Sequence, residues 1–409
     1  MTRGGSEVPE EFGRALRRLR QAARMTQQAL ADALSVQRAT ISQWETGSHL
    51  PSQRNIDELD RLLDSDGELA GIAGAEHAPA SPSTVSVYEV FRRIGRILVD
   101  ELARNENGDP VGWRRDFGRR PASPLSTATG IRLLTLLETP FVDLAALGRS
   151  LARMEDPGGG WGARGFRHRP EVTALVMDAL ARIGGPVDLK RLLPVLTDQV
   201  DRRALGQVHV LTEVLRSVAP LRVDAGLTVE VVRALLDVRV GPGQWPEKQT
   251  GRAGIRPQPS MAHTARAVIA LDTYRECGGK VENGEIGAAL DAATEWLAAQ
   301  EDRLYLVREN LEPSPDDPEY GDLEIRHFTG ALVSQALLRC RPDAWTGIER
   351  AVATTWRHYV PDAGLWAWPN GDTPIWMQHE AVLAVTHHLQ RRHHAPRSDP
   401  ARSPDSEVQ

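Results

Sequence analysis

The chain has 409 residues, which is too long for one small hydrophobic core and indicates two or three domains. Its composition, 41% hydrophobic and 25% charged, is that of an ordinary globular protein, and no run approaches the ~18 apolar residues that a membrane-spanning helix needs. The formal net charge of -6 argues against a uniformly basic surface, so any nucleic-acid interface has to be local.

The first residues and the cysteines indicate a cytoplasmic protein. The opening stretch, MTRGGSEVPEEFGR, contains no apolar run of the kind found in secretory signals, and we expect no association with a membrane. The two cysteines, Cys277 and Cys340, stand in neither a CxxC nor a Cys/His ligand spacing. We therefore expect reduced thiols, no disulfide framework and no cofactor.

Four short helices are predicted in the first 70 or so residues. Apolar residues at helical spacing predict the first over residues 9–23. Thr26 is a suitable N-cap for a second helix, QQALADAL, which a short turn separates from a third, QRATISQWE. Gly47 and Pro51 mark the end of the third helix, and a fourth follows over residues 52–64.

This segment is locally basic although the chain is acidic overall. Between Phe12 and Trp44 there are six arginines and a single acidic residue, Asp32. These arginines are Arg14, Arg17, Arg18, Arg20, Arg24 and Arg38. We therefore expect one face of the segment to be basic, as a surface that contacts phosphates has to be.

The window from Thr26 to Ser52, TQQALADALSVQRATISQWETGSHLPS, resembles the Cro/repressor-type (XRE) helix-turn-helix family. The positions that form the core in that family are all small or apolar here, namely Leu30, Ala31, Val36, Ile41 and Trp44. A small residue is needed at Ala31 because the two helices of the motif cross closely there. The resemblance also implies a salt bridge between Arg20 and Glu45.

The same resemblance implies roles in DNA binding. Gln27 is expected to contact a phosphate, whereas Arg38 and Gln43 are suited to guanine and adenine, each such pair contributing about 1–3 kcal/mol of discrimination. The residues expected on the reading face are Gln37, Arg38, Ala39, Thr40, Ser42 and Gln43. Because one module binds weakly, we expect a homodimer on double-stranded DNA. The alternative is a dimerisation domain whose polar residues face water.

A linker is predicted over residues 75–84, where the chain is rich in alanine, proline and serine and nearly free of charge. It separates a helix-turn-helix domain, residues 1–74, from a second domain over residues 85–390. The final residues, 391–409, contain too few apolar side chains to form a core and are predicted to be a disordered tail.

The second domain repeats one unit six times: a helix, a loop that often contains glycine and tryptophan, and a second helix. The first helices are predicted to begin near Val85, Phe141, Val187, Leu227, Glu285 and Ala344. The second helices are predicted to begin near Pro124, Glu171, Arg203, Ser260, Glu324 and Ile375. No strand-like alternation is visible, so the fold class is all-α, and six pairs favour a closed ring over an open solenoid.

The loops around Trp161, Trp245 and Trp366 resemble the QW-type repeats of the terpene cyclase and prenyltransferase superfamily. This resemblance implies an (α/α)6 toroid. Each tryptophan is expected to pack between neighbouring hairpins, with its indole N–H bonded to a carbonyl oxygen.

The residues with which those enzymes act are not found in this sequence. There is no DxDD motif, and Asp316-Asp317 lacks its spacing. His327 resembles the zinc-binding histidine of protein prenyltransferases, but no matching aspartate and cysteine accompany it. We therefore expect no enzyme, no catalytic residues and no metal. Four histidines beside the tail, His387, His388, His393 and His394, are not taken as a metal site either.

A toroid would offer a central cavity for a small molecule or a protein segment. Its candidate lining residues are Trp161, Arg164, His168, Trp245, His263, Arg266, His327, Trp376 and His379. The sequence thus favours a sequence-specific transcriptional regulator whose toroid senses a ligand or binds a partner. The alternatives are a scaffold that recruits a partner protein to DNA and an isoprenoid-type cyclase or transferase fused to a DNA-binding module.

Overall fold

The fold is all-α, with very short sheets in some of the loops between helices. The structure is a computed structural model. It describes residues 7–34, 36–51, 53–63, 65, 68–74, 86–114, 122–139, 142–162, 169–203, 207–222, 225–247, 257–279, 284–300, 304, 306–311, 323–369 and 371–394. None of the helices in these ranges combines the length and apolarity that crossing a bilayer requires.

Five short helices form the N-terminal module. They are α1 (Glu7–Ala22), α2 (Gln27–Ala33), α3 (Arg38–Glu45), α4 (Gln53–Leu62) and α5 (Glu68–Gly74). The Thr26 hydroxyl caps α2 by accepting the Ala29 N–H at 3.0 Å, as its sequence position predicts. The first four helices lie where the sequence places them, to within two residues at nearly every end.

These helices share one small hydrophobic core. Helix α1 packs against α3 and α5, α2 packs against α3, and α4 packs against α5. Phe12, Leu16 and Ile41 are fully buried at the centre of this core. Ala31 is also fully buried between α2 and α3, which is why a larger side chain would force the two helices apart.

Gly13 marks the closest approach of α1 to α3, and a substitution there tests the packing. A Cβ atom on Gly13 would lie 2.7 Å from the carbonyl oxygens of both Trp44 and Glu45. Because these are backbone atoms, we expect Gly13→Ala to lower the free energy of unfolding of the module by about 1–3 kcal/mol. Hydrogen exchange of the α1 and α3 amides in the intact chain measures this loss.

The matched control is Gly287→Ala, another glycine inside a helix. A Cβ atom there meets nothing within 4 Å, so we expect this substitution to be neutral or to stabilise by up to about 1 kcal/mol. Equal effects at the two positions would contradict the close approach at Gly13.

From residue 86 onward the described ranges contain twelve α-helices, in six pairs. The first helices are α6 (Val87–Asp100), α8 (Leu144–Arg153), α10 (Leu189–Arg203), α12 (Ala225–Asp237), α14 (Glu285–Ala299) and α16 (Trp345–Arg357). The second helices are α7 (Pro124–Leu136), α9 (Pro170–Arg182), α11 (Val208–Val218), α13 (Met261–Glu276), α15 (Thr329–Cys340) and α17 (Ile375–His394). The pairing predicted from the sequence is therefore present.

The second helices contact one another in a closed cycle. Helix α7 packs against α9, α9 against α11, α11 against α13, α13 against α15, α15 against α17, and α17 returns to α7. We call these six helices the inner cycle. Each first helix packs against one or two members of the inner cycle. One continuous hydrophobic cluster joins all twelve helices, and it shares no residue with the core of the N-terminal module.

Three antiparallel hairpins correct the expectation that strands are absent. They are β1 (Ala103–Arg104) with β2 (Pro110–Gly112), β3 (Val307–Leu311) with β4 (Leu323–His327), and β5 (Tyr359–Val360) with β6 (Leu365–Trp366). Two pairs are too short for an alternating pattern to show, and the strands of the third are only five residues long.

Three other boundaries differ from the sequence predictions. Glu324 lies in β4, so the helix predicted there begins at Thr329 instead. Arg203 ends α10, and the next helix begins at Val208. Helix α17 continues to His394, four residues into the predicted tail, while the remaining tail and the linker lie outside the described residues.

A recurring set of tryptophan hydrogen bonds ties three of the inter-helix loops to both helices of their pairs. The indole N–H donates to a leucine carbonyl near the end of the first helix. The pairs are Trp113 with Leu98 (2.8 Å), Trp161 with Leu151 (3.0 Å) and Trp245 with Leu235 (2.7 Å). The same three tryptophans donate their backbone N–H to threonine hydroxyls in the first turns of α7, α9 and α13.

This pattern confirms the packing role predicted for Trp161 and Trp245, and it adds Trp113. Trp366 is a variation, because its backbone N–H donates to the side-chain carbonyl of Gln378 at 2.8 Å. Its indole nitrogen has no partner within the part of the chain that the structure describes. The tryptophans are thus structural elements of a repeated loop.

Candidate functional site

The third helix of the N-terminal module separates its side chains into a buried face and an exposed face. Ile41, Trp44 and Glu45 are buried. The residues predicted to read DNA lie on the other side: Gln37, Arg38, Ala39 and Gln43 are exposed, and Thr40 and Ser42 are half-buried. These residues are exposed in the structure as a whole, with the helical domain present. The described part of the helical domain therefore does not cover the reading face.

An ion pair between a buried carboxylate and a half-buried guanidinium fixes the end of this helix. The Glu45 carboxylate accepts both hydrogen bonds of the Arg20 guanidinium fork, with 3.1 Å between Arg20 Nη2 and Glu45 Oε2. Arg20 also donates to the Met25 carbonyl oxygen at 2.8 Å, and Gln27 Nε2 donates to Glu45 Oε2 at 2.8 Å. The predicted salt bridge is therefore confirmed, and it joins α1 and the start of α2 to the end of α3.

The electrostatics of Glu45 follow from these partners. Burial opposes ionisation, but the hydrogen bonds from Arg20 and Gln27, together with the charges of Arg20 and Arg17, outweigh it and lower the pKa of the carboxyl below its ordinary value of 4.5. The hydrogen bond to Glu45 correspondingly raises the pKa of Arg20. At neutral pH the pair is fully ionised.

The basic face is smaller than the sequence suggests, because four of its six arginines face carboxylates. Arg17 and Arg20 converge on Glu45. Arg18 pairs with Glu68, and Arg14 lies 4.0 Å from Glu10. Arg24 and Arg38, the other two, are exposed. Neither forms an ion pair with any described carboxylate, so these two charges are the ones available to phosphates or base edges.

The inner cycle carries a second set of polar residues, all inside the helical domain. Arg132 on α7 contacts Asp178 on α9 at 2.7 Å and Glu213 on α11 at 3.0 Å. Glu213 in turn accepts from Arg266 on α13 at 3.4 Å. The side chains of Asp178 and Arg132 are less than one-tenth exposed, so this network is buried.

The network extends to the last two inner helices. Glu380 on α17 pairs with Arg216 at 2.9 Å and accepts from Gln335 on α15 at 2.8 Å, and His379 Nδ1 lies 3.4 Å from Glu380. All six helices of the inner cycle therefore contribute to buried, paired polar groups. We call this set the inner ion network.

The residues predicted to line a ligand cavity have different surroundings. Arg266 and His379 belong to the inner ion network, and Trp161 and Trp245 belong to the hydrophobic core. Trp376 is half-buried. Arg164 and His168 lie outside the described residues. A surface groove of about 350 Å³ beside α6 is lined by none of the predicted residues, so a ligand cavity within the inner cycle stays a prediction.

Two further predicted residues, His263 and His327, meet in a buried cluster around a glutamate that sequence reasoning missed. The Nε2 atoms of both histidines lie 2.9 Å from Glu309 Oε2. The ring of His209 contacts the ring of His327 edge-on, with 5.5 Å between their centroids. All four side chains are at most 5% exposed. We call these four residues the histidine cluster.

The hairpin of β3 and β4 builds this cluster. Glu309 pairs with Ile325, and His327 pairs with Val307, so Glu309 and His327 are diagonal neighbours on one face of the hairpin. His209 comes from the first turn of α11 and His263 from that of α13. The period-two pattern within VRENL and LEIRH was the available signal, but each stretch is only five residues long.

The charge states of the cluster are set by burial and by one another. Burial lowers the pKa of His327 to about 3, and burial together with the nearby Arg266 charge lowers the pKa of His209 well below its ordinary value. Burial opposes ionisation of Glu309, but His263 and His327 lower its pKa well below 4.5. A carboxylate and neutral imidazoles are the forms that bind metal ions. One ligand atom each from His209, Glu309 and His327 lies within 4.8 Å of the others, so this set could hold a metal.

Comparisons with known proteins agree with the N-terminal geometry. The model of a helix-turn-helix domain matches residues 11–70, which shows a helix-turn-helix DNA-binding module in this part of the chain. A crystal structure of a protein from Actinoplanes is 18% identical, covers 74% of this chain and 100% of its own, and has a TM-score of 0.44, which is too low to carry a conclusion. No curated protein matches the chain.

Proposed function

We propose that the protein is a sequence-specific transcriptional regulator of the XRE type that binds an operator as a homodimer. The observation that carries this proposal is the exposed face of α3, which presents Arg38 and Gln43 to solvent while the Arg20–Glu45 pair fixes the helix from behind. A helix in the major groove needs that combination of free polar side chains and a rigid support.

The helical domain is proposed to be an (α/α)6 toroid without catalytic activity that senses a ligand or binds a partner. The closed cycle of contacts among its second helices supports the toroid, and the six-fold repetition of helix pairs supports it independently. A regulator of this kind would act in the cytoplasm.

Selection of genomic DNA fragments by the purified full-length protein tests the proposal. We expect an enriched motif. Arg38→Ala and Gln43→Ala should each weaken binding to that motif by about 10–100-fold and relax the preference at one base position, because each removes a side chain suited to bidentate base contact. Gln27→Ala should instead weaken all sequences evenly, because it removes the expected phosphate contact and also the 2.8 Å hydrogen bond that supports Glu45.

Arg24→Ala is the matched control, since Arg24 is an exposed arginine at the end of α1 that is not on the reading face. It should change the salt dependence without changing the preferred sequence. The proposal fails if no motif is enriched, or if Arg38→Ala leaves the base preference unchanged.

A further inference from the structure

We propose that His209, Glu309 and His327 form a binding site for a divalent transition-metal ion, with Zn²⁺ as the expected occupant. The three residues come from α11, β3 and β4, and their ligand atoms lie within 4.8 Å of one another in the interior of the helical domain. This inference is independent of DNA binding, because it concerns the helical domain alone.

Two unpartnered atoms at this place point to a missing ligand. His209 Nδ1 and Glu309 Oε1 are both buried, and neither has a hydrogen-bond partner within the described part of the chain. The side chains of His209 and Glu309 are only 5% and 1% exposed. Buried polar atoms in native proteins nearly always have a partner, and a metal ion held between these residues would supply it.

The donor set matches zinc in kind, and its atoms lie close enough together to converge on one ion. Imidazole nitrogen and carboxylate oxygen are ordinary zinc ligands, and three protein ligands leave a fourth tetrahedral position for water or a small anion. At zinc–ligand bonds near 2 Å, tetrahedral ligand atoms are about 3.3 Å apart. The 2.9 Å between His327 Nε2 and Glu309 Oε2 is a hydrogen-bond distance, so an ion that replaces this hydrogen bond needs the two atoms to separate by less than about 1 Å.

The third histidine of the cluster, His263, supports the carboxylate. His263 Nε2 lies 2.9 Å from Glu309 Oε2, while His263 Nδ1 lies 2.8 Å from the Ser260 hydroxyl. Outer hydrogen bonds of this kind orient ligands in metal sites. His263 is therefore a positioning residue for Glu309.

Arg266 is expected to weaken metal binding at His327, and this effect can be tested by replacing Arg266. Its Nε–H donates to His327 Nδ1 at 3.1 Å, so the proton of that ring is on Nε2, the atom that faces Glu309. A metal on Nε2 shifts the proton to Nδ1, where it conflicts with the Arg266 donor. Arg266 keeps Glu213 as its partner at 3.4 Å, so metal binding is expected to move the Arg266 guanidinium away from His327 and towards Glu213.

Zinc titration of the metal-free full-length protein, followed by calorimetry, tests the site. We expect one ion per chain, and His209→Ala and Glu309→Gln should each lower the affinity by at least about tenfold. Arg266→Met should raise the affinity, because it removes both a positive charge and the competing donor. Cobalt in place of zinc should give the absorption of a tetrahedral ion in the wild type, and Glu309→Gln should abolish it.

The control replaces His393 and His394 by alanine, since these histidines at the end of α17 form a histidine pair in a different part of the helical domain. That double variant should bind zinc as the wild type does. Circular dichroism establishes that each variant is folded, and if His209→Ala is not, the Arg266→Met and cobalt experiments decide. The proposal is overturned if the wild type binds no zinc, or if binding is lost with His393 and His394 and is indifferent to Glu309→Gln and Arg266→Met.

Discussion

Replacing Glu45 by alanine is expected to lower the free energy of unfolding of the helix-turn-helix module by about 2–3 kcal/mol, because it leaves a half-buried guanidinium without its counter-ion. The Glu45 side chain is 1% exposed and that of Arg20 is 12% exposed, so solvent cannot replace the lost carboxylate well. Hydrogen exchange of the α2 and α3 amides in the intact chain measures the effect, and DNA affinity should fall with it.

The control is Asp32→Ala, the removal of another acid from the same module. Asp32 is exposed and accepts a hydrogen bond from Gln28 at 2.8 Å, one helical turn away, so its loss should cost less than about 0.5 kcal/mol. Arg20→Ala combined with Glu45→Ala should cost less than the sum of the single changes, since the two residues act as a unit. Additive costs would show that the pair is not coupled.

Acid should have the same effect on the wild type as Glu45→Ala has at neutral pH. The pKa of Glu45 is lower in the folded module than in the unfolded chain, so its contribution to stability is complete above its ordinary value of 4.5 and is lost as the pH falls through the lowered value. Protection of the α3 amides should therefore decrease in the wild type as the pH falls below 4.5, and decrease less in Glu45→Ala.

The second large effect is expected at Trp245, where alanine should lower the free energy of unfolding of the helical domain by about 3–5 kcal/mol. The side chain is fully buried, and its indole N–H donates to the Leu235 carbonyl oxygen at 2.7 Å. Truncation therefore leaves both a cavity and an unpaired buried carbonyl. Urea unfolding of the full chain followed by far-UV circular dichroism measures the loss.

Two variants separate these contributions. Trp245→Phe keeps most of the apolar ring but removes the donor, so it should cost about 1–3 kcal/mol. Trp345→Ala, at a tryptophan that is 37% exposed, should cost clearly less than Trp245→Ala. If Trp245→Ala leaves the unfolding midpoint unchanged, the hydrogen-bonded loop is not a structural element of the repeat.

Local signals determined which helix boundaries could be predicted. The start of α7 was found at Pro124 because Ser123 caps it and proline occupies its first position, both of which are visible in the sequence. The starts of α11 and α15 were missed because Gln207 and Phe328, which precede them, provide no side-chain cap. Where a boundary is set by tertiary packing alone, the sequence does not reveal it.

The candidate sites also differ in how far the sequence could predict them. The reading face and the Arg20–Glu45 pair lie within one short segment whose spacing fixes their relation, and both could be predicted. The histidine cluster joins residues from three distant elements through a hairpin whose strands were too short to recognise. His263 and His327 were noticed separately, but only the fold brings Glu309 between them.

The contact between α17 and α7 has a consequence for biosynthesis. It joins the last described helix to one of the first of its domain, so the domain cannot close until nearly the whole chain has left the ribosome. The N-terminal module is complete after about one-fifth of the chain and needs no later residue for its core. A prematurely terminated product would thus carry a finished DNA-binding unit followed by an open, aggregation-prone row of helices.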